Sequence, residues 1–202
     1  MKIGLIHAGS GNLKSISNAL KNIGFATETI TKTNQFKGID TIILPGVGSF
    51  KNAMNTLKKL NLIDSIKDHV DNEKKLIGIC LGMQLLFQKS YEFGENKGIG
   101  IIKGEVLPFQ ESKLRVPHVG WNTSSSSVNG FSNFNGDYYF VHSFYCEPKN
   151  KSNILSYTNY NGINYASAVI KNNIVGFQFH PEKSGKDGIE IYSSWANQII
   201  KH

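Results

Sequence analysis

The first half of the chain alternates short, wholly apolar runs with stretches in which apolar residues recur every three or four positions. Wholly apolar runs are typical of strands that are buried on both faces, and the three- to four-residue recurrence is typical of amphipathic helices. The pattern predicts strands at residues 2–7, 26–30, 41–44 and 76–79. It predicts helices at residues 13–23, 53–60, 63–70 and 81–91, with Asn12 as the N-cap of the first. Strands and helices that alternate in this way indicate a parallel sheet with helices on both faces.

The second half of the chain has a different pattern, which begins at about Gly98 and is rich in aromatic residues. It predicts strands at residues 99–106, 138–145, 154–160, 165–171 and 174–179, a loop at the serine run 124–127 and a final helix at 187–200. Asn161-Gly162 and Asn172-Asn173 are turn signals at hairpin spacing, so these strands are expected to be mixed or antiparallel. The predicted fold class is therefore α/β, with a central, mostly parallel sheet and antiparallel additions in the second half.

Length and composition restrict the class of protein. The chain has 202 residues, of which 40% are hydrophobic and 18% charged, so it can bury a core and does not resemble a disordered protein. We expect a single domain over residues 1–202. No apolar run reaches the length of a membrane helix and no signal peptide is evident, so a cytoplasmic protein with no membrane partner is expected. The two cysteines, Cys80 and Cys146, do not suggest a disulfide framework.

The net charge of +7 raises the question of a nucleic-acid partner. However, Arg115 is the single arginine, and arginine is the residue that base recognition and bidentate phosphate binding favour. The lysines are scattered along the chain, and the longest blocks are the pairs Lys58-Lys59 and Lys74-Lys75. A solvated lysine-rich surface is the preferred interpretation, and a basic face for an acidic protein or phosphorylated ligand is the alternative. No nucleic acid is expected.

The segment from Gly78 to Gly82 carries the first candidate chemistry. It places Cys80 between two glycines, at the junction of a predicted buried strand and a predicted helix. This is the cysteine version of the nucleophile elbow, in which the nucleophile sits in a strained turn that glycines allow. Free N–H groups at the start of the helix favour a thiolate, and the amide of Leu81 points to where an oxyanion would form. A small buried cysteine in a strand-to-helix turn is the structural alternative.

A base for this thiolate is offered by His180, which ends an aromatic strand and precedes Pro181 and Glu182. The proline ends the strand and can turn the Glu182 carboxylate back toward the imidazole, which would fix its tautomer. A histidine at a strand end can be purely structural, but the elbow in the same chain favours a Cys-His-Glu triad. No histidines or cysteines have the spacing of a metal site, so no metal or cofactor is predicted.

A second oxyanion donor is expected from the loop Pro45-Gly46-Val47-Gly48, which follows a predicted strand. The glycines on either side of Val47 would let a peptide turn its N–H toward a developing oxyanion. As a bare pattern this segment is only a turn signal. It is not a phosphate-binding loop, because the lysine-bearing pattern of such loops is absent.

Together, the Cys80 elbow, His180-Pro181-Glu182 and the Pro45–Gly48 loop resemble the class I, or triad, glutamine amidotransferases. Within that class, six segments are similar to the glutaminase subunits of imidazole glycerol phosphate synthases in histidine biosynthesis; they lie at residues 12–15, 45–48, 80–84, 116–122, 139–143 and 179–184. The segment at 116–122, Val-Pro-His-Val-Gly-Trp-Asn, is the one specific to these subunits. The resemblance covers nearly the whole chain.

This resemblance implies a flavodoxin-like α/β fold and an enzyme that hydrolyses glutamine to glutamate and ammonia. It implies Cys80 as the nucleophile, His180 as the acid and base and Glu182 as the residue that orients His180. The ammonia would pass to a partner, a separate (β/α)8-barrel cyclase that makes imidazole glycerol phosphate and AICAR. The other implied site residues are Leu81, Val47 and Gly48 for the oxyanion hole, Gly46, Gln84, Glu92, Ser143 and Phe144 for glutamine, and Asn12, Pro117, His118, Trp121 and Asn122 for the partner interface.

One departure from the family pattern keeps alternatives open. The family usually has Asp-Tyr-Gly after its first strand, where this chain has His7-Ala8-Gly9. A paralogous glutaminase that supplies ammonia for amidination of a surface-glycan sugar is therefore a second interpretation. A different hydrolase with an elbow cysteine and a non-catalytic binding subunit are the alternatives from other classes. Glu92 has a structural alternative as an exposed helix-end charge, and Trp121 as a core residue.

Overall fold

The structure is a computed structural model, and it describes residues 1–9, 12–109, 115–126, 128 and 134–197. Within these residues the chain forms thirteen strands and five α-helices. The strands are β1 Ile3–Ile6, β2 Thr27–Ile30, β3 Thr41–Leu44, β4 Lys75–Ile79, β5 Phe87–Ser90, β6 Asn96–Lys97, β7 Ile102–Pro108, β8 His118–Ser126, β9 Gly136–His142, β10 Phe144–Pro148, β11 Ile154–Tyr160, β12 Ile163–Lys171 and β13 Ile174–Phe177. The helices are α1 Leu13–Asn22, α2 Phe50–Lys59, α3 Leu62–Asp71, α4 Leu81–Leu85 and α5 Gly185–Asn197.

One half of the sheet is parallel, as the sequence predicted. Its strands lie in the order β2-β1-β3-β4-β13, and each neighbouring pair in this row is parallel. Every residue of β1, β3 and β13 is buried, because this half of the sheet is covered on both faces. The carboxyl ends of these strands therefore meet at one edge, where an α/β sheet places its ligand sites.

The two faces of the sheet build two hydrophobic cores. On β3, Ile42 and Leu44 pack against residues of α2 and α3, while Ile43 packs on the opposite face with residues of α1 and α5. This alternation follows from the two-residue period of side chains along a strand. The β8–β9 hairpin covers part of the second face through Tyr138 and Phe140.

The other half of the sheet is mainly antiparallel, which also agrees with the prediction. From β13 the order continues through β12, β10, β7, β5 and β6, and only the β7–β5 pair in this row is parallel. Strand β11 pairs with β12 and β8, and β8 pairs with β9. The turn signals at Asn161 and Asn172 are correct, since both residues have a positive φ between paired strands.

The helix predicted at residues 81–91 is wrong beyond its first turn. Helix α4 ends at Leu85, and the chain enters β5 at Phe87. The run Leu85-Leu86-Phe87 is buried throughout, a pattern that fits a buried strand as well as a helix. Pairing of β5 with β6 and β7, which lie later in the chain, decides between them.

The strand predicted at 138–145 and the loop predicted at 124–127 also differ from the structure. The predicted strand breaks at Ser143, because β9 pairs with β8 whereas β10 pairs with β7 and β12. Residues 124–126 belong to β8, and Ser127 lies outside the described residues. The buried Ser124 hydroxyl lies 2.8 Å from the hydroxyls of Ser156 and Ser167, so the serines satisfy one another inside the sheet.

The last helix begins two residues earlier than predicted, at Gly185, and is described as far as Asn197. Residues 198–200 of the predicted helix lie outside the described residues. Its buried face includes Ile191, Tyr192 and Trp195. Among the helices that the structure describes, none is long and apolar enough to span a membrane.

Candidate active site

Cys80 occupies a tight turn between β4 and α4. Its backbone φ is +52°, which is a strained conformation for a residue with a side chain. The flanking glycines are required sterically: a Cβ on Gly78 would lie 2.8 Å from the Met83 Cα, and a Cβ on Gly82 would lie 1.7 Å from the Leu44 carbonyl oxygen. The elbow expected from the sequence therefore has the geometry that its glycines indicate.

Cys80 is 7% exposed, and its backbone N–H and its sulfur contact groups from β9 and from the end of β13. Its backbone N–H donates to the carbonyl oxygen of Phe177 at 2.7 Å, which ties the elbow to the end of β13. Its Sγ lies 3.9 Å from the Val141 carbonyl oxygen and 3.7 Å from Nε2 of Gln178. Contacts of both its backbone and its sulfur atom therefore hold the cysteine in place.

His180 and Glu182 form a buried ion pair. The Nδ1 of His180 lies 2.8 Å from Oε1 of Glu182, and their side chains are 2% and 0% exposed. Because the carboxylate can only accept, Nδ1 carries the proton and donates it. Nε2 is buried and has no hydrogen bond of good geometry to a described residue, although the Cys80 sulfur is close enough to act on it electrostatically. Sequence proximity alone brings His180 and Glu182 together, since Pro181 begins the short 3-10 turn between them.

The charges around His180 favour its protonated form. Burial alone would lower the pKa of His180, but the negative sulfur of Cys80 and the carboxylate of Glu182 outweigh burial and raise the pKa to about 10. The arrangement is that of a cysteine beside a protonated imidazole, which is backed by a carboxylate. Such a group can attack a carbonyl carbon and deliver a proton to the leaving group.

Asn12 adds a fourth member that the sequence did not indicate. Its Nδ2 donates to Oε1 of Glu182 at 2.7 Å, whereas the expected side-chain cap of α1 is not formed. Asn12 thus holds the carboxylate that holds His180. The two residues are 170 positions apart in the chain, so no local pattern connects them.

The loop from Pro45 to Gly48 packs directly on the elbow. A Cβ on Gly46 would lie 2.7 Å from the Leu81 Cβ and 3.1 Å from the backbone nitrogen of Gly82. Gly48 has a φ of +95°, a conformation that favours glycine. The loop expected to supply an oxyanion donor and the Leu81 amide therefore belong to two segments in direct contact.

Apart from Gly46 in the loop just described, the residues expected to bind glutamine lie in two places. Gln84 on α4 donates from Nε2 to the carbonyl oxygen of Phe144 at 2.9 Å, next to Ser143 where β9 gives way to β10. Glu92 lies after β5 and accepts from the backbone N–H of Phe50 at 2.5 Å. Its carboxylate therefore sits at the N-terminus of α2, the helix that follows the Pro45–Gly48 loop, where a negative charge is favourable. Glu92 therefore does not match its structural alternative, an exposed charge at the end of its own helix, because α4 ends at Leu85 and the Glu92 carboxylate is hydrogen-bonded.

The segment expected to form a partner interface shows strict alternation along β8. Trp121 is 60% exposed, which excludes its alternative as a core residue, and Val119 on the same face is 55% exposed. Val119 pairs with Val141 of β9, so the exposed apolar strip continues onto that strand. The side chain of His118 differs from the expectation, because the alternation turns it inward and leaves it 3% exposed. Pro117 is exposed, and Asn122 donates to the Asn159 carbonyl oxygen at 2.9 Å.

His118 instead belongs to a buried cluster with His142 and Tyr165. The His118 Nδ1 lies 3.3 Å from the His142 Nε2, and the Tyr165 hydroxyl lies within 3.2 Å of both nitrogens. Burial lowers the pKa of His118 to about 4 and that of His142 to about 3, so both rings are neutral at pH 7. These histidines hold the β8–β9 hairpin against β12.

Gln178 is the other residue that sequence reasoning passed over. It is fully buried, and its side chain lies between Gln84 and Cys80, at 3.1 Å from the Gln84 Nε2. It precedes His180 by two positions, and residues two apart in an extended segment share a side. That spacing was the available signal. Among the described residues, no group of three or more histidine, cysteine or acidic side chains is arranged to hold a metal ion.

Comparison with known proteins agrees with this geometry. Residues 5–195 match the family model described as glutamine amidotransferase class-I. The chain is 40% identical over 208 residues to the imidazole glycerol phosphate synthase subunit HisH of Aquifex aeolicus (strain VF5), covering 100% of this chain and 99% of the relative. It is 39% identical over 202 residues to the subunit of the same name from Lactococcus lactis subsp. lactis (strain IL1403), covering 98% of this chain and 99% of the relative.

Solved structures support the fold. A crystal structure described as a glutamine amidotransferase superposes with a TM-score of 0.78 at 16% identity, covering 97% of this chain and 99% of that one. A chain in the structure of PurLQS from Thermotoga maritima gives a TM-score of 0.77 at 20% identity, covering 97% of each chain. The family model and the full-length relatives together establish that this chain belongs to the class-I glutamine amidotransferases, a family of enzymes.

Proposed function

We propose that this chain is the glutaminase subunit of an imidazole glycerol phosphate synthase. It hydrolyses glutamine to glutamate and ammonia, and the ammonia serves a synthase partner in histidine biosynthesis. The observation that carries the proposal is the assembly of Cys80, His180 and Glu182 at the carboxyl edge of the parallel sheet. The full-length relatives named as subunits of this synthase favour it over the sugar-amidinating paralogue.

The first half of the reaction forms a thioester. The Cys80 thiolate attacks the side-chain amide carbon of glutamine, and His180 donates its Nε2 proton to the departing ammonia. A water molecule then attacks the carbonyl carbon of the thioester while the neutral His180 accepts one of its protons. The C–S bond breaks, which restores the Cys80 thiolate beside protonated His180 and releases glutamate, whose new carboxyl group loses its proton to solvent. Glu182 and Asn12 keep the imidazole in one orientation throughout both halves, which the 2.8 Å contact of Glu182 with His180 and the 2.7 Å contact of Asn12 with Glu182 support.

The oxyanion of each tetrahedral intermediate needs two donors. We assign this role to the Leu81 amide and to a peptide N–H of the Gly46–Gly48 loop, which packs on the elbow, and one such donor contributes about 3 kcal/mol to lowering the barrier. For the amino-acid end of glutamine, Glu92 supplies a negative charge for the α-ammonium group. Gln84 and the main chain at Ser143 and Phe144 complete this part of the site.

The partner is a separate synthase chain, for which the family resemblance implies a (β/α)8 barrel. Its contact surface on this chain includes the strip formed by Val119, Trp121 and Val141, together with Pro117. An exposed tryptophan beside two exposed valines is the kind of anchor that protein interfaces use. Val141 also provides the carbonyl oxygen that lies 3.9 Å from the Cys80 sulfur, so strand β9 borders both the strip and the nucleophile.

The function is tested by assaying the wild-type chain together with its co-purified synthase. We expect glutamate to form from glutamine, and imidazole glycerol phosphate to form when the synthase substrate is added. A glutamine-mimicking diazo-ketone should modify Cys80 and block both products. Release of ammonia that supports amidination of a sugar, with no imidazole product, would instead identify the paralogue.

Trp121→Ala is expected to weaken binding to the synthase by about 30-fold or more, because truncation of an anchoring tryptophan removes a buried aromatic contact. The dissociation constant is measured by titration calorimetry. Tyr157→Ala is the matched control, since Tyr157 is also an exposed aromatic residue but lies on β11 opposite Ser125, beyond the end of the strip. Equal losses in the two variants would contradict the assignment of this strip to the interface.

A further inference from the structure

A row of side-chain amides runs from β10 to the nucleophile. The Gln84 Nε2 donates both to the Phe144 carbonyl oxygen at 2.9 Å and to Oε1 of Gln178 at 3.1 Å. The Gln178 Nε2 then lies 3.7 Å from the Cys80 sulfur. Gln84, Gln178 and Cys80 are all buried, at 6%, 0% and 7% exposed.

The direction of every hydrogen bond in this row follows from its first member. The Phe144 carbonyl can only accept, so the Gln84 atom that faces it must be the nitrogen. That nitrogen can only donate, so the Gln178 atom that faces it must be the oxygen. The Gln178 nitrogen is therefore left facing the sulfur, where it can only donate.

The sulfur meets a different partner in each of its two protonation states. A thiol can donate to the Val141 carbonyl oxygen, which lies 3.9 Å away. A thiolate has no proton to give and is repelled by that oxygen, but it accepts a hydrogen bond from Gln178. The Gln178 amide thus offsets the unfavourable carbonyl when Cys80 is ionised.

We propose that Gln178 is a further catalytic residue of this site, which donates a hydrogen bond to the Cys80 sulfur and holds it as an oriented thiolate nucleophile. The proposal deepens the proposed glutaminase function and rests on it for its role in turnover. Its effect on the sulfur itself does not depend on glutamine.

The same row of hydrogen bonds restricts what Gln84 can bind. Both of its side-chain N–H groups are used, so it can offer a ligand only its carbonyl oxygen. That oxygen suits the ammonium group of glutamine and not its carboxylate.

Other titratable groups around Cys80 keep their charge through the neutral pH range. Burial raises the pKa of Tyr165 on β12 and of Cys146 on β10, and burial lowers the pKa of His142 on β9 to about 3. The pKa of His180 is raised to about 10 by the charges already described, against the effect of burial. A change in the alkylation rate of Cys80 between about pH 3 and about pH 10 therefore reports on Cys80 and its hydrogen bonds.

The test measures alkylation of the full-length chain by iodoacetamide from about pH 5 to about pH 9, with peptide mass spectrometry to follow Cys80 separately from Cys146. Gln178→Met keeps the length of the side chain and removes the donor. We expect the midpoint of the pH–rate profile to rise by about one pH unit and kcat for glutamine to fall about 10- to 100-fold, the loss typical of a hydrogen bond to a charged group. Gln178→Glu should raise the midpoint further, because it places a carboxylate beside the sulfur.

Ser167→Ala is the matched control. Its hydroxyl is equally buried, and its backbone carbonyl accepts the Gln178 N–H at 2.8 Å, but its side chain lies in the serine cluster of the sheet. It should leave the alkylation midpoint unchanged. Wild-type alkylation in Gln178→Met, with thermal unfolding equal to that of Ser167→Ala, would overturn the proposal.

A measurement on the wild-type chain covers the case in which neither Gln178 variant folds. The side-chain amide protons of Gln178, followed by NMR in 15N-labelled protein, should shift downfield as Cys80 ionises and lose that shift after Cys80 is alkylated. Amide signals that do not respond would overturn the proposal. If the wild-type chain shows the alkylation profile but hydrolyses no glutamine with its partner, the proposed function fails, while the hydrogen bond is still judged by alkylation alone.

Discussion

Cys80→Ala is expected to reduce glutamine hydrolysis by at least about a thousandfold, because the substitution removes the nucleophile and leaves His180 without the group on which it acts. The substitution removes one sulfur atom from a turn whose shape is set by Gly78 and Gly82, so the fold should persist. Glutamate formation in the complex with the synthase is the measurement. Synthesis by the same complex from added ammonium salt should continue at the wild-type rate, because that reaction does not use the elbow.

The control for this variant is Cys146→Ala. Cys146 is 1% exposed, lies on β10 and serves only packing in this interpretation, so its glutaminase activity should stay within about twofold of wild type. Glutamine-dependent activity that survives in Cys80→Ala would contradict the assigned nucleophile. Loss of both glutamine-dependent and ammonia-dependent synthesis would show that the complex itself has been damaged.

Gly82→Ala is expected to destabilise the chain by about 3 kcal/mol or more, and to reduce glutaminase activity at the same time. The added Cβ would lie 1.7 Å from the Leu44 carbonyl oxygen and 2.6 Å from its carbonyl carbon, so backbone atoms must move. The movement separates the elbow from the end of β3, which carries the Pro45–Gly48 loop. Both oxyanion donors are then displaced. Urea unfolding gives the free energy of unfolding, and glutamate formation gives the activity.

Gly100→Ala is the matched glycine substitution for this experiment. Gly100 has a φ of +80° but no atom within 4 Å of an added Cβ, so only the backbone conformation is penalised. That penalty is about 1 kcal/mol, and activity should be retained. If Gly82→Ala were no less stable than Gly100→Ala, the close packing of the elbow on β3 would be refuted.

The local patterns of the sequence were sufficient for the parallel half of the fold. Strands β1, β3 and β4 were predicted to within one residue at each end, because strands buried on both faces form short, mostly apolar runs. The same logic failed at residues 85–90. A continuous apolar run fits a buried helix and a buried strand equally well, and only pairing with β6 and β7 resolves it.

In the candidate site, too, some residues were indicated by local motifs and others were identified only by the tertiary structure. The sequence by itself determined which residues can supply the chemistry, since a glycine-flanked cysteine and a His-Pro-Glu segment are short motifs whose geometry is local. It also determined the class of fold through its alternating elements. Only the tertiary structure decided that Asn12 binds Glu182, that Gln178 lies between Gln84 and Cys80, and that His118 points inward while Trp121 points outward. These contacts join residues 94 to 170 positions apart, or depend on which face of a strand the core covers, and neither property is written in a local pattern.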